Sequence, residues 1–154
     1  MNVVYIHGLE SSPHVEKVAW LRKQVDTVYA PEINYRDSNS YIDLDRYIKA
    51  HDVDLIYGSS MGGFYAYTLG KKYGIPVVLF NPALHSRALK VTAPETMAGY
   101  NTGDVYLGKN DNVIDPKKTE ELMDAAGDAY EVHYYDGGHR VPDSVFKSAI
   151  KQYL

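Results

Sequence analysis

Short apolar runs alternate with amphipathic stretches along this chain, and that alternation leaves few architectures open. Runs at 3–6, 27–30, 54–57, 77–80, 104–107 and 130–134 have the length and β-branched content of buried strands. The first and fourth are almost continuously apolar, which suits a parallel sheet covered on both faces. Between them, His14, Val18, Leu21 and Val25 recur at helical spacing. Leu44, Tyr47 and Ile48 do so more briefly, and Thr119, Leu122, Met123 and Ala126 repeat the pattern. Val145, Phe146, Ala149, Ile150 and Tyr153 form a wide stripe on a last helix. Ser12 before Pro13 reads as a helix start, with Ser12 as N-cap. Gly70 and Gly74 are expected to close a helix over 64–72, and Pro76 stops any continuation. Strict alternation predicts an α/β fold: a minimal doubly wound parallel sheet of about six strands with helices on both faces. Residues 81–103 break the pattern. They are polar, contain two prolines and have weak periodicity, so 84–103 is expected to form a small lid or irregular excursion rather than a full cap domain.

The 154 residues suit one domain, 1–154, large enough to bury a core without staples. No cysteine is present, which fits a reducing compartment. The formal net charge is −4 and no run of Lys or Arg stands out, so nucleic acid is a poor partner for this chain. No apolar run approaches the roughly 20 residues of a membrane span. A soluble, cytoplasmic protein with no membrane partner is the expectation. The 15 tyrosines are a high count for this length. They are expected chiefly as core filler, with a tyrosine-lined pocket as the alternative.

Gly58-Ser59-Ser60-Met61-Gly62 fits Gly-x-Ser-x-Gly, the pattern of a nucleophile on a sharp strand-to-helix turn. Its setting strengthens it, because a strand-like run enters the turn and a helix-like stretch leaves it. Any side chain at Gly58 or Gly62 would crowd such a turn. Only Ser60 has glycines at both flanking positions, so Ser60 is the candidate nucleophile and Ser59 packs beside it. A phosphate-binding βα turn is the alternative, but there is no Lys in the turn, which excludes a P-loop.

A serine hydroxyl needs a base. Of six histidines, His139 lies in Asp136-Gly137-Gly138-His139, past the last strand and before the last helix. His14, His51 and His133 fall in expected helices or strands, and His85 precedes any sensible acid. The third group should orient the imidazole. Asp111 follows the fifth strand in Gly108-Lys109-Asn110-Asp111, and is preferred for lying nearest the strand end. Asp115, beside Pro116, stays open as the alternative acid, or as a helix N-cap. The order Ser60, Asp111, His139 is that of α/β-hydrolases, and each gap holds a βα unit that returns the chain to the carboxyl edge of the sheet. Two backbone N–H groups should hold an oxyanion: Met61, next to the nucleophile, and Leu9, in the loop after the first strand. His7 in that loop is expected to be buried and to brace it.

The sequence resembles the bacterial YqiA-like esterases, a small α/β-hydrolase family. The resemblance rests on Tyr5-Ile6-His7-Gly8-Leu9-Glu10-Ser11-Ser12-Pro13, Gly58-Ser59-Ser60-Met61-Gly62-Gly63-Phe64-Tyr65-Ala66, Phe80-Asn81-Pro82-Ala83 and Gly137-Gly138-His139. It implies carboxylester hydrolysis by Ser60, Asp111 and His139, with no metal and no organic cofactor. The excursion after Ala83 is shorter here, so substrate preference does not carry over, and the family's residue between Gly-Gly and His, which bears on the local loop geometry, is absent. A serine esterase acting on small or short-acyl ester substrates is therefore the expected function. A thioesterase or peptidase on the same triad, and a non-catalytic ligand-binding protein of this fold, are the alternatives. Oligomeric state has no signature in the sequence.

Overall fold

A computed structural model of the chain describes residues 1–9, 13, 15–87 and 101–154. Among the described residues six strands and five helices follow one another in the order β1 (Asn2–Ile6), α1 (Val15–Arg22), β2 (Thr27–Tyr29), α2 (Ser40–Ala50), β3 (Leu55–Ser59), α3 (Met61–Tyr73), β4 (Val77–Phe80), β5 (Thr102–Gly108), α4 (Pro116–Ala126), β6 (Ala129–Tyr135) and α5 (Asp143–Lys151). All neighbouring strands are parallel, in the order β2-β1-β3-β4-β5-β6. The chain first steps outward from β1 to β2, then crosses back to β3. This reversal opens a crevice at the carboxyl ends of β1 and β3, where open α/β sheets bind ligands.

Alternation along each strand sends side chains to two separate cores. Val4, Ile6, Ile56, Leu79 and Val105 meet α2, α3 and α4 through residues such as Leu44, Phe64 and Met123. Val3, Tyr5, Leu55, Tyr57, Val78 and Phe80 meet α1 and α5 through Leu21, Phe146 and Ile150. Each fully buried side chain of this kind contributes about 1.5–3 kcal/mol. Tyr5, Tyr35, Tyr41, Tyr57, Tyr65 and Tyr67 are buried in these cores, and Tyr135 is buried at the end of β6. Tyr29 instead lines a cavity of about 240 Å³ with Glu32, Ile33, Ser40, Asp43 and Leu44.

α3 begins directly after Ser60, earlier than expected, and ends at Gly74, whose φ of 66° is left-handed and whose N–H bonds Gly70. Gly70 itself lies inside the helix and does not terminate it. α1 stops at Arg22, and Val25 falls in the turn that follows, its N–H on Leu21. The expected N-cap Ser12 and the stripe residue His14 lie outside the described residues. So does most of the expected excursion, residues 88–100.

Candidate active site

The turn between β3 and α3 is built by close approach. A Cβ at Gly62 would fall 2.1 Å from the Ile6 carbonyl oxygen, and one at Gly58 would fall 2.3 Å from that of Gly62. Only glycine lets the start of α3 sit this tightly on β1 and β3. Ser60 takes φ 55° and ψ −116°, a conformation an L-residue adopts at a cost of about 1–3 kcal/mol. Its N–H bonds the Phe80 carbonyl (3.0 Å), and its own carbonyl accepts from Phe64 (3.2 Å) and Ala83 (2.9 Å). These bonds hold the strained turn in place, leaving the hydroxyl at the mouth of the crevice.

That hydroxyl meets His139. Ser60 Oγ lies 3.0 Å from His139 Nε2, and His139 Nδ1 lies 2.8 Å from Asp111 Oδ2. A carboxylate can only accept, so Nδ1 carries the proton and Nε2 is left to accept from the serine. The other Asp111 oxygen accepts from the N–H groups of Val113 (2.8 Å) and Ile114 (3.0 Å). The Asp111 side chain is wholly buried, while that of His139 is 24% exposed. Asp115 is not part of this array. Its carboxylate caps α4, accepting from the Lys117 N–H at 3.0 Å.

The loop after β1 lies against the elbow. A Cβ on Gly8 would sit 3.4 Å from Ser60 Cβ, which brings the turn holding Leu9 to the nucleophile. Met61 opens α3, so its N–H has no carbonyl one turn back within the helix. His7 is 1% exposed and braces this loop as expected. Its Nε2 accepts from the Ile33 N–H (2.8 Å), so Nδ1 is the protonated nitrogen and donates to the Gly8 carbonyl (2.7 Å). Burial holds its pKa below the ordinary histidine value. Tyr35 donates its hydroxyl to the His7 carbonyl.

One buried polar residue at the site had no assigned role in the sequence reading. Asn81, after β4, is 1% exposed and takes φ 44°. Its amide reaches Gly108, Tyr135 and the backbone of His139. An Asn-Pro step after a buried strand signals a turn, but nothing local names those partners.

Among the described residues, one group could hold a cation: Asp104, Glu131 and His133 on β5 and β6. Both Asp104 oxygens in it are already engaged by neighbouring side chains. His133 Nε2 donates to Asp104 (2.7 Å), and Tyr153 donates to the other Asp104 oxygen.

The family described as "Uncharacterised protein family (UPF0227)" matches residues 2–98, more than half of the chain. The chain belongs to the UPF0227 family. Residues 104–150 of this UPF0227 chain, which carry Asp111 and His139, match a second family described as "Serine hydrolase (FSH1)". A UPF0227 protein of Vibrio atlanticus is 29% identical over 157 residues, covering 84% of this chain and 85% of its own length. Among solved structures, the monoacylglycerol lipase of Paleococcus ferrophilus superposes with a TM-score of 0.75 at 14% identity, covering 99% of this chain and 93% of that one. The Bacillus cereus carboxylesterase does so with a TM-score of 0.65 at 18% identity, covering 98% and 86%. The fold of this UPF0227 protein is that of the α/β-hydrolases. The resemblance read from its motifs holds. No helix among the described residues is long and apolar enough to cross a membrane.

Proposed function

We propose that this UPF0227 protein is a serine esterase for small or short-acyl carboxylic esters, with Ser60 as nucleophile, His139 as general base and Asp111 orienting the imidazole. The observation that carries this reading is the His139 ring, which has a hydroxyl 3.0 Å from one nitrogen and a buried carboxylate 2.8 Å from the other. Nothing structural requires a ring so placed at the crevice beside a strained serine. The serine-hydrolase match over 104–150 supports the same chemistry.

His139 Nε2 takes the Ser60 proton as Oγ attacks the ester carbonyl carbon. The N–H groups of Leu9 and Met61 receive the oxyanion. The intermediate collapses, the C–O bond to the alcohol breaks, and His139 returns the proton to the departing oxygen. Asp111 stays ionised and balances the imidazolium while it lasts. Water, deprotonated by His139, then attacks the acyl-enzyme, releases the acid and restores Ser60. Every proton moves through one nitrogen, so no metal or cofactor is needed to close the cycle. Thioesters and peptides would follow the same steps and form the nearest competing substrates.

The test is hydrolysis of a short p-nitrophenyl ester series by wild type and Ser60→Ala. Loss of the nucleophile should cost about 10⁴–10⁶-fold in kcat. Equal turnover by both proteins, or none by either when folded, would overturn the esterase reading and favour ligand binding.

A further inference from the structure

We propose that Asn81 is a positioning residue that sets the base against the nucleophile, holding the His139 backbone with its side chain and the Ser60 backbone through its chain neighbours. This rests on the roles of Ser60 and His139 proposed above.

Ser60 and His139 stand 79 residues apart in sequence, on loops from different strands. Their hydroxyl-to-imidazole distance is set by whatever ties those loops together. The segment Phe80-Asn81-Pro82-Ala83 does so from both sides. Phe80 accepts from the Ser60 N–H at 3.0 Å, and Ala83 donates to the Ser60 carbonyl at 2.9 Å. Between them, Asn81 Nδ2 donates to the His139 carbonyl at 2.8 Å and to the Tyr135 hydroxyl at 2.7 Å. Tyr135 passes its own proton to the Gly138 carbonyl at 2.7 Å. Two successive carbonyls, Gly138 and His139, are thus held from one amide.

The amide has one possible orientation. The Gly108 N–H must meet an acceptor, and Oδ1 takes it at 2.9 Å, which turns Nδ2 toward the His139 carbonyl. Asn81 also donates its backbone N–H to Tyr106 at 3.0 Å, which pins it to the end of β5. The residue is 1% exposed with both side-chain polar atoms satisfied. Its φ of 44° is left-handed, a region Asn tolerates better than other non-glycine residues. It holds this conformation immediately before Pro82, where the backbone is restricted further. A plug for strand ends would need only the bonds to Gly108 and Tyr106. The two Nδ2 bonds go instead to the His139 carbonyl and to Tyr135 at the end of β6, whose hydroxyl bonds Gly138 in the loop bearing His139.

The test uses the full chain with Asn81→Gly, which accepts the positive φ and removes the amide. Asn81→Asp serves as a second variant, keeping the acceptor for Gly108 and losing the donor to His139. Each is measured for thermal midpoint, for kcat and KM on a short p-nitrophenyl ester, and for the low-field proton resonance of His139 Nδ1–H, assigned by its loss in Asp111→Asn. A misplacement near 1 Å costs ~10²-fold in rate, so kcat should fall ~10–100-fold with KM little changed. The His139 resonance should broaden or vanish while the protein remains folded. In a His139→Ala background the same substitutions should cost nothing further.

A lowered thermal midpoint with kcat and the resonance intact would reduce Asn81 to a structural role and overturn the proposal. So would an equal loss of rate with and without His139. The resonance needs no substrate, so it tests Asn81 even if Ser60→Ala shows the esterase reading to be wrong.

Discussion

His7 and His139 both sit in loops at the carboxyl edge of this sheet, and each has partners at both ring nitrogens. The His7 ring bonds only backbone groups, the Gly8 carbonyl and the Ile33 N–H. The His139 ring bonds only side chains, the Asp111 carboxylate and the Ser60 hydroxyl. The first ring is sealed at 1% exposure, whereas the second keeps 24% of its side chain open. Burial of the His7 ring outweighs the Gly8 hydrogen bond and the nearby Glu32 charge, so the ring is held neutral and serves as a brace. A ring facing an ionised carboxylate can accept a proton and hand it back, provided a substrate can reach it.

Exchanging the two roles would break this comparison. His139→Ala should cost about 10⁴–10⁶-fold in kcat while the urea unfolding midpoint moves little. A large loss of stability with modest loss of rate would make His139 a second brace. Asp111→Asn should cost about 10⁴-fold, because an amide can stabilise the wrong imidazole tautomer. Asp115→Ala is its control, expected to keep full activity and to lose about 1 kcal/mol of stability with its cap. His7→Ala should act the opposite way. It leaves the Ile33 N–H and the Gly8 carbonyl without partners, at about 1–3 kcal/mol, readable in urea unfolding. Its effect on rate should be smaller, arising only through movement of the Leu9 loop.

The smallest expected effect sharpens the comparison through pH. Burial lowers the His7 pKa in the folded state, so the unfolded chain binds a proton that the folded ring refuses. This contribution is full above about pH 6.5, the unfolded value, and is lost as pH falls toward the lowered folded one. Urea midpoints at pH 7.5 and 5.5 should therefore differ more for wild type than for His7→Gln. Equal differences would mean that His7 is not held neutral by burial.

The order of elements, the parallel sheet and the elbow were legible because they rest on local rules. A buried strand needs a continuous apolar run, and Gly58 and Gly62 are the only residue type that lets α3 approach β1. Asp111 and His139 could be read because each follows a strand, and strand ends converge on one edge. The choice between Asp111 and Asp115 was read only as a preference for the residue nearer the strand end. Both follow β5 within a few residues, and the capping of α4 by Asp115 depends on where that helix begins. Asn81 was visible only as part of the Phe80-Asn81-Pro82-Ala83 motif, with no role attached. Its partners at Gly108, Tyr135 and His139 come from β5, from β6 and from the loop beyond it.

Periodicity, turn chemistry and chain order thus belong to the sequence, since each depends on residues a few positions apart. Which acid faces His139, which histidine is sealed and what the Asn81 amide grips were decided only by tertiary structure. Those outcomes depend on hydrogen bonds between segments that become neighbours only when six strands line up in register.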